Sequence, residues 1–128
     1  MKNNGPIYSK SFDFAITIIR LYKVLIRNKE YVLSKQLLRS GTAIGANVNE
    51  ASAAESRNDF KHKMSIASKE ARETYYWLQL LKKGNLVDVN VGHELSECDE
   101  LVRILTSIVK TTSQNLSGET SAQADSIL

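Results

Sequence analysis

The chain has 128 residues, of which 42% are hydrophobic and 24% are charged, a balance typical of one globular domain. The single cysteine, Cys98, excludes an intrachain disulfide. The first residues, MKNNGPIYSKS, have no continuous apolar run, and no later run is long enough to span a membrane. We therefore expect no signal peptide, no transmembrane helix and a cytoplasmic location.

Positive charge is concentrated in the first part of the chain. Residues 1–84 hold 15 Lys/Arg against 7 Asp/Glu, a balance of +8. Residues 85–128 hold 2 Lys/Arg against 7 Asp/Glu, a balance of −5. A basic body with an acidic end indicates either a polyanionic partner or two surfaces that meet in an oligomer.

The first predicted helix follows an extended arm of residues 1–8, begins at a cap on Ser9 or Ser11, and ends near Asn28. It has two apolar stripes at helical spacing, one of Phe14, Ile18, Leu21 and Leu25, with Ala15 and Tyr22, and one of Phe12, Ile16, Ile19 and Ile26. A helix that is apolar on two sides either lies centrally in its bundle or meets another subunit.

The second predicted helix covers residues 32–54 and is rich in small residues. Gly41 and Gly45 lie in its interior, where each glycine costs roughly 1 kcal/mol relative to alanine. We interpret them as the sign of a close approach to a neighbouring helix. The alternative is a break in the helix near Gly41.

Two further helices complete the predicted bundle. The third begins at a cap on Ser56 or Asn58 and ends at Lys83 before Gly84, and the fourth runs from a cap on Asn90 to about Thr112. Residues 113–128 have no periodicity and no cation, so we predict a disordered polar tail. The predicted fold is all-α: an antiparallel, up-down-up-down four-helix bundle of residues 9–112.

No catalytic or metal motif accompanies these helices. Cys98 lies in an apolar stripe of the fourth helix and is predicted to be buried and structural. His62 and His93 have no second ligand at a repeating spacing, and no glycine-rich phosphate loop occurs. We predict no metal, no cofactor and no enzymatic activity.

Asn47 and Glu50 lie three residues apart, and therefore on one face of the second helix, among its small residues. Lys69, Arg72 or Glu73 of the third helix could oppose them. We favour a structural polar network that fixes helix register over an enzyme that uses Glu50, Glu70 or Glu73.

The third helix also has a basic stripe with an aromatic residue within it. Its members are Lys61, His62, Lys69, Arg72, Tyr76 and Lys83, to which Lys35 and Arg39 of the second helix are added. Such a stripe is suited to phosphate contact and base stacking, or it is an ordinary solvated face. No groove-reading motif is present, so base-specific recognition is not expected.

The segments LLRSGTAIGANVNEA and NDFKHKMSIASKEARETYYWLQLL resemble the family of four helix bundle proteins, or 23S rRNA-intervening-sequence proteins. The family motif "SIxANIxE" matches residues 43–50, and "IAxxSxxE" matches Ile66, Ala67 and Glu73. The chain departs from the family at Ala51, where glycine is frequent, and at Glu70, where serine is common. The resemblance covers roughly residues 10–112.

The resemblance implies a bundle that assembles into a homo-oligomer, typically a ring of five subunits. Some relatives are encoded inside rRNA intervening sequences, and others are accessory proteins of diversity-generating retroelements that engage a reverse transcriptase and nucleic acid. The resemblance also implies a structural role for Asn47, Glu50 and Glu73. The expected function is therefore a non-enzymatic accessory factor that binds RNA or DNA with little sequence specificity. The alternative is a protein–protein adaptor or scaffold without nucleic-acid binding.

Overall fold

The computed structural model describes the backbone of residues 5–127 and the side chains of residues 5–118. Its helices are α1 (Pro6–Arg27), α2 (Leu33–Ala51), α3 (Arg57–Gly84) and α4 (Gly92–Ile127), and the described residues contain no strand. Each helix packs on the next, and α4 also packs on α1. The predicted all-α four-helix bundle is therefore confirmed. Residues 1–4 of the predicted arm and Leu128 of the predicted tail lie outside the described residues.

The start of α1 differs from the prediction because Pro6 begins the helix. Proline suits the first helical position, since its nitrogen needs no partner there and its φ is already close to the helical value. Ile7, the next residue, is buried in the core. The predicted arm is wrong from Pro6 onward, and Ser9 and Ser11 are not caps. Their hydroxyls lie inside the helix and donate to the carbonyls of Pro6 and Tyr8 at 3.3 and 3.2 Å.

The two stripes of α1 have different surroundings. Phe14, Ile18, Leu21 and Leu25 of the first stripe are buried, whereas Ala15 and Tyr22 are half-buried. Phe12 of the second stripe is 66% exposed, and Ile16, Ile19 and Ile26 are only half-buried. The second stripe therefore faces outward, and α1 is not a central helix of this bundle.

The contact between α1 and α2 is close at both interior glycines. A Cβ atom at Gly41 would lie 2.8 Å from Cγ1 and 2.9 Å from Cγ2 of Ile18, and one at Gly45 would lie 3.1 Å from the backbone oxygen of Ser11. α2 is continuous through both glycines. The predicted close approach is confirmed, and the alternative break near Gly41 is wrong.

Glu30 caps α2, a role that the sequence reasoning did not assign. Its carboxylate accepts hydrogen bonds from the backbone N–H groups of Val32, Leu33 and Ser34 at 2.8, 3.1 and 2.9 Å. Glu30 is only 8% exposed, and Lys29 before it has a left-handed φ of 63°. The carboxylate satisfies donors that the first helical turn leaves without partners, and its negative charge suits the helix N-terminus.

The ends of α3 match the prediction on one side only. Ser56 is the N-cap, and its hydroxyl oxygen accepts from the N–H of Asp59 at 3.0 Å. At the other end, Gly84 remains helical and Asn85 takes the left-handed conformation, with φ 52°. Asparagine tolerates this conformation better than most residues, and here it takes the role expected of glycine. The predicted role of Gly84 as the C′ residue is therefore wrong.

The Asn90 side chain accepts from the N–H of Gly92 at 2.9 Å, which agrees with its predicted role at the start of α4. The helix continues to Ile127, so the predicted end near Thr112 is wrong. Residues 113–127 contain no proline and only one glycine, and polar residues alone do not stop a helix that a packed core has already nucleated. The division into a domain of residues 9–112 and a separate disordered tail stays a prediction.

The core lies between the four helices and is made of large side chains from each of them. Its fully buried members include Phe14, Ile18, Leu25, Leu37, Ile44, Met64, Leu78, Leu101 and Leu105. None of the helices in the described part of the chain combines the length and apolarity that a bilayer span requires. With its core side buried, α3 presents its polar residues on the opposite side.

Candidate nucleic-acid interface

The basic stripe of α3 lies on the side of the helix that faces away from the core. Met64, Ala67, Ala71 and Leu78 are completely buried. Five of the six predicted α3 residues are exposed, and Lys61 is half-buried; the exposed residues are His62, Lys69, Arg72, Tyr76 and Lys83. Helical spacing therefore gives one continuous basic face, as the sequence predicted.

Lys69 and Arg72 line a groove of about 440 Å³ between α3 and α4. The other lining residues are Ser65, Ser68, Thr106, Val109 and Lys110. Arg72 Nη2 donates to Thr106 Oγ1 at 3.3 Å. The sequence reasoning did not assign Lys110 to this surface, because the pattern of one helix does not show which residues of the neighbouring helix it meets.

Arg39 has a different environment from the other predicted cations. Its guanidinium forms ion pairs with Glu73 at 2.5 Å and with Glu70 at 3.2 Å, across the contact between α2 and α3. Hydrogen bonds to Glu73 and then Glu70 raise the pKa of Arg39. The hydrogen bond from Arg39 is the main cause that lowers the pKa of Glu73. These carboxylates neutralise Arg39, so it does not add positive charge to the basic face of α3.

Lys35 and Lys83 do not line the groove. Lys35 follows the α1–α2 connection, and Lys83 precedes the α3–α4 connection. In a bundle of this topology both connections lie at one end, so these two exposed cations belong to that end. Tyr76 lies between it and the groove. The residue is 54% exposed, and its ring packs edge-on against Trp77, with 5.2 Å between ring centroids.

The predicted polar seam of Asn47, Glu50 and Glu73 is not one network. The Asn47 amide donates to the carbonyl of Ala43 in its own helix at 2.9 Å. Glu50 pairs with Lys63 at 2.9 Å, and this hydrogen bond is the main cause that raises the pKa of Lys63. The expected opposition by Lys69, Arg72 or Glu73 is therefore wrong.

The expected opposition fails because of how α3 is rotated about its own axis. Lys69 and Arg72 point toward the side of α3 that meets α4, as their groove shows. The buried polar contact between α2 and α3 is instead made by Ser40 and Thr74, whose hydroxyl oxygens lie 2.8 Å apart. The Thr74 hydroxyl also lies 2.8 Å from the carbonyl oxygen of Glu70. Ser40 and Thr74 lie on different helices, and one serine or threonine within a helix gives no distinctive pattern in the sequence.

The single cysteine is held in a structural contact. Cys98 is buried and its thiol donates to the carbonyl of Ala71 at 3.2 Å. Burial, and secondarily the charge of Asp99, raises the pKa of Cys98 to about 12, so the thiol is not a nucleophile near neutral pH. Within the described residues, no group of three or more His, Cys, Asp or Glu side chains converges to hold a metal ion.

Comparison with known proteins identifies relatives of the whole bundle. The family model of the 23S rRNA-intervening sequence protein matches residues 3–107. A solved protein of unknown function from the S23 ribosomal protein family of Bacteroides thetaiotaomicron is 46% identical, with a TM-score of 0.77. The match covers 81% of this chain and 98% of that one. No functionally curated protein matches the chain. The chain therefore belongs to the 23S rRNA-intervening sequence protein family.

Proposed function

We propose that the protein is a non-enzymatic, homo-oligomeric accessory factor that binds RNA or DNA through the basic face of α3 with little sequence specificity. The observation that supports the proposal is the row of exposed cations formed by Lys69, Arg72 and Lys83. None of these three forms an ion pair with a carboxylate among the described residues. The family description, which refers to 23S rRNA, is consistent with such a partner.

Contacts to phosphate account for both the affinity and the low specificity. Each cation that neutralises a phosphate releases a counterion, which favours binding without reading the bases. Tyr76, exposed within the same face, provides a ring on which an unpaired base can stack. Binding of this kind requires access to RNA or DNA inside the cell, so we propose a cytoplasmic location.

The outward stripe of α1 supports the homo-oligomeric part of the proposal. Phe12 and Ala15 border a groove of about 550 Å³ between α1 and α2, together with Tyr8, Gly45 and Ala46. Ser9, Thr42 and Asn49 add polar groups to this groove. Exposed apolar side chains with polar residues beside them are typical of a contact with another protein. Five subunits are what the family resemblance implies. Assembly would bring several copies of the basic face together and raise the effective concentration of cations at one nucleic-acid strand.

The α1 surface also supports a second candidate, a protein–protein adaptor. In that case Phe12 and its neighbours would bind a different protein, such as a reverse transcriptase. The molar mass of the purified protein, measured by light scattering, distinguishes the two. A Phe12→Ser variant of lower mass than the wild type would support the homo-oligomer, and a monomeric wild type would favour the adaptor.

Fluorescence anisotropy tests the nucleic-acid proposal. A labelled structured RNA and a matched DNA duplex are titrated with the wild type at low ionic strength, and we expect both to bind. A triple variant with Lys69, Arg72 and Lys83 changed to Glu should not bind.

The matched control reverses the same number of charges elsewhere, at Arg20, Arg27 and Lys29. These three cations are exposed and lie on α1 or just after it. The control should retain binding. Failure of the wild type to bind either nucleic acid at low salt would refute the proposal and leave the adaptor.

A further inference from the structure

The groove between α3 and α4 has a composition suited to an anion. Three cations surround it, Lys69 and Arg72 from α3 and Lys110 from α4, and no carboxylate is among its described lining residues. Like charges gathered around one depression repel one another unless an anion lies between them. An oxyanion bound among the three cations would offset this repulsion.

The position of Lys110 is notable because the last part of the chain is acidic. Residues 85–128 contain only two cations, Arg103 and Lys110. Arg103 is paired with Asp99, one helical turn before it. Lys110 has no such pair among the described residues, and it is the cation that α4 contributes to the groove. α4 therefore presents a positive charge, that of Lys110, to the groove that Lys69 and Arg72 line.

Hydroxyl groups supply neutral hydrogen-bond donors in the same groove. Ser68 is the most buried lining residue, at 8% exposure, while Ser65 and Thr106 lie nearer the surface. The hydrogen bond from Arg72 to Thr106 holds the guanidinium toward α4 and leaves its remaining N–H groups available for an anion. Cations combined with hydroxyls are the groups that proteins use to bind phosphate oxygens.

The size of the groove indicates more than a single free phosphate. A volume of about 440 Å³ falls in the range of small-molecule sites. Val109 and the aliphatic parts of the two lysines provide apolar surface beside the charged groups. A phosphate with an attached sugar fits both parts of this lining.

We propose that this groove is a phosphate subsite that holds one phosphodiester of a bound nucleic-acid strand. Lys69, Arg72 and Lys110 supply the charge, and the hydroxyls of Ser65 and Thr106 supply directed hydrogen bonds. The inference rests on the proposed nucleic-acid binding and assigns a location to it. The ligand chemistry, a phosphate oxyanion, is shared by nucleic acid and by free phosphate or nucleotides.

Anisotropy with single-stranded RNA near 0.1 M salt tests the groove. Changing Lys69, Arg72 and Lys110 to alanine should weaken binding about fivefold and reduce the steepness of the salt slope by about 0.7, because the one phosphate contact of the groove is lost. Alanine at Arg20, Arg27 and Lys29 removes the same charge from α1 and the connection after it, outside the groove, and should leave the salt slope unchanged because no phosphate contact is lost. Equal effects in the two variants would overturn the proposal. The circular dichroism of both should match the wild type.

Chemical-shift mapping of the full chain with inorganic phosphate and with a dinucleotide separates the two proposals. We expect amide shifts concentrated at Lys69, Arg72, Thr106 and Lys110, larger with the dinucleotide. If the wild type binds no RNA or DNA, the proposed function fails, and shifts at these residues with phosphate would still support the groove as an anion site. The absence of localised shifts would overturn the groove whatever the RNA result.

Discussion

Replacing Gly41 with alanine should destabilise the bundle, even though alanine is the better helix former. The added Cβ would lie 2.8 and 2.9 Å from two carbons of Ile18, which is completely buried and β-branched and therefore cannot rotate away easily. Overpacking of a core typically costs about 1–3 kcal/mol. The gain in helix propensity is about 1 kcal/mol, so we expect a net loss of up to about 2 kcal/mol.

Urea unfolding followed by circular dichroism, at one fixed protein concentration, measures this loss. Gly84→Ala is the matched control, because a Cβ at Gly84 would meet no atom within 4 Å, and it should be neutral or slightly stabilising. Ile18→Ala alone should cost about 2–5 kcal/mol. The double variant should lose less than the sum of the two single losses, by about 1 kcal/mol or more. A Gly41→Ala variant that is more stable than the wild type by about 1 kcal/mol, the full gain in helix propensity, would refute the reasoning, as would strictly additive losses.

Three further predictions follow from single contacts. Glu30→Ala should lower the free energy of unfolding by about 1–2 kcal/mol in thermal denaturation, whereas retention of full stability would contradict its role as a cap. Cys98 should resist a thiol reagent in the native protein and react on unfolding. Because burial raises the pKa of Cys98 to about 12, the contribution of its neutral thiol to stability is complete below about pH 8.5 and is lost as the pH rises toward 12. Arg39→Ala should reduce stability by less than about 1 kcal/mol. Since Arg39 lowers the pKa of Glu73, the loss should be present above the usual carboxyl pKa and should disappear at acid pH; a loss that is the same at all pH values would contradict the ion pair.

The sequence was most informative where side-chain size or spacing determines the contact. The four large aliphatic and aromatic residues Phe14, Ile18, Leu21 and Leu25 recur at helical spacing, and all four are buried. Gly41 and Gly45 predicted a close helix approach because nothing but packing explains two glycines inside a helix. Ser56 predicted the start of α3 because its side chain can accept from the first turn.

Contacts that depend on the relative rotation of two helices could not be read from the chain. The sequence grouped Arg39 with the cations of α3, but only the packing of α2 on α3 reveals its pairing with Glu70 and Glu73. Lys110 was missed for the same reason, since its neighbours in the groove, Lys69 and Arg72, lie on another helix. Periodicity fixes which face of a helix is polar, and it does not fix which polar residue meets which.

The salt dependence of nucleic-acid binding by the wild type tests the central claim most directly. The measurement is anisotropy with single-stranded RNA at a series of salt concentrations. If Lys69, Arg72 and Lys110 hold a phosphate, the logarithm of the association constant should fall linearly with the logarithm of salt, with a slope of about −0.7 or steeper. Binding that does not change with salt, or no binding at the lowest salt, would contradict the account.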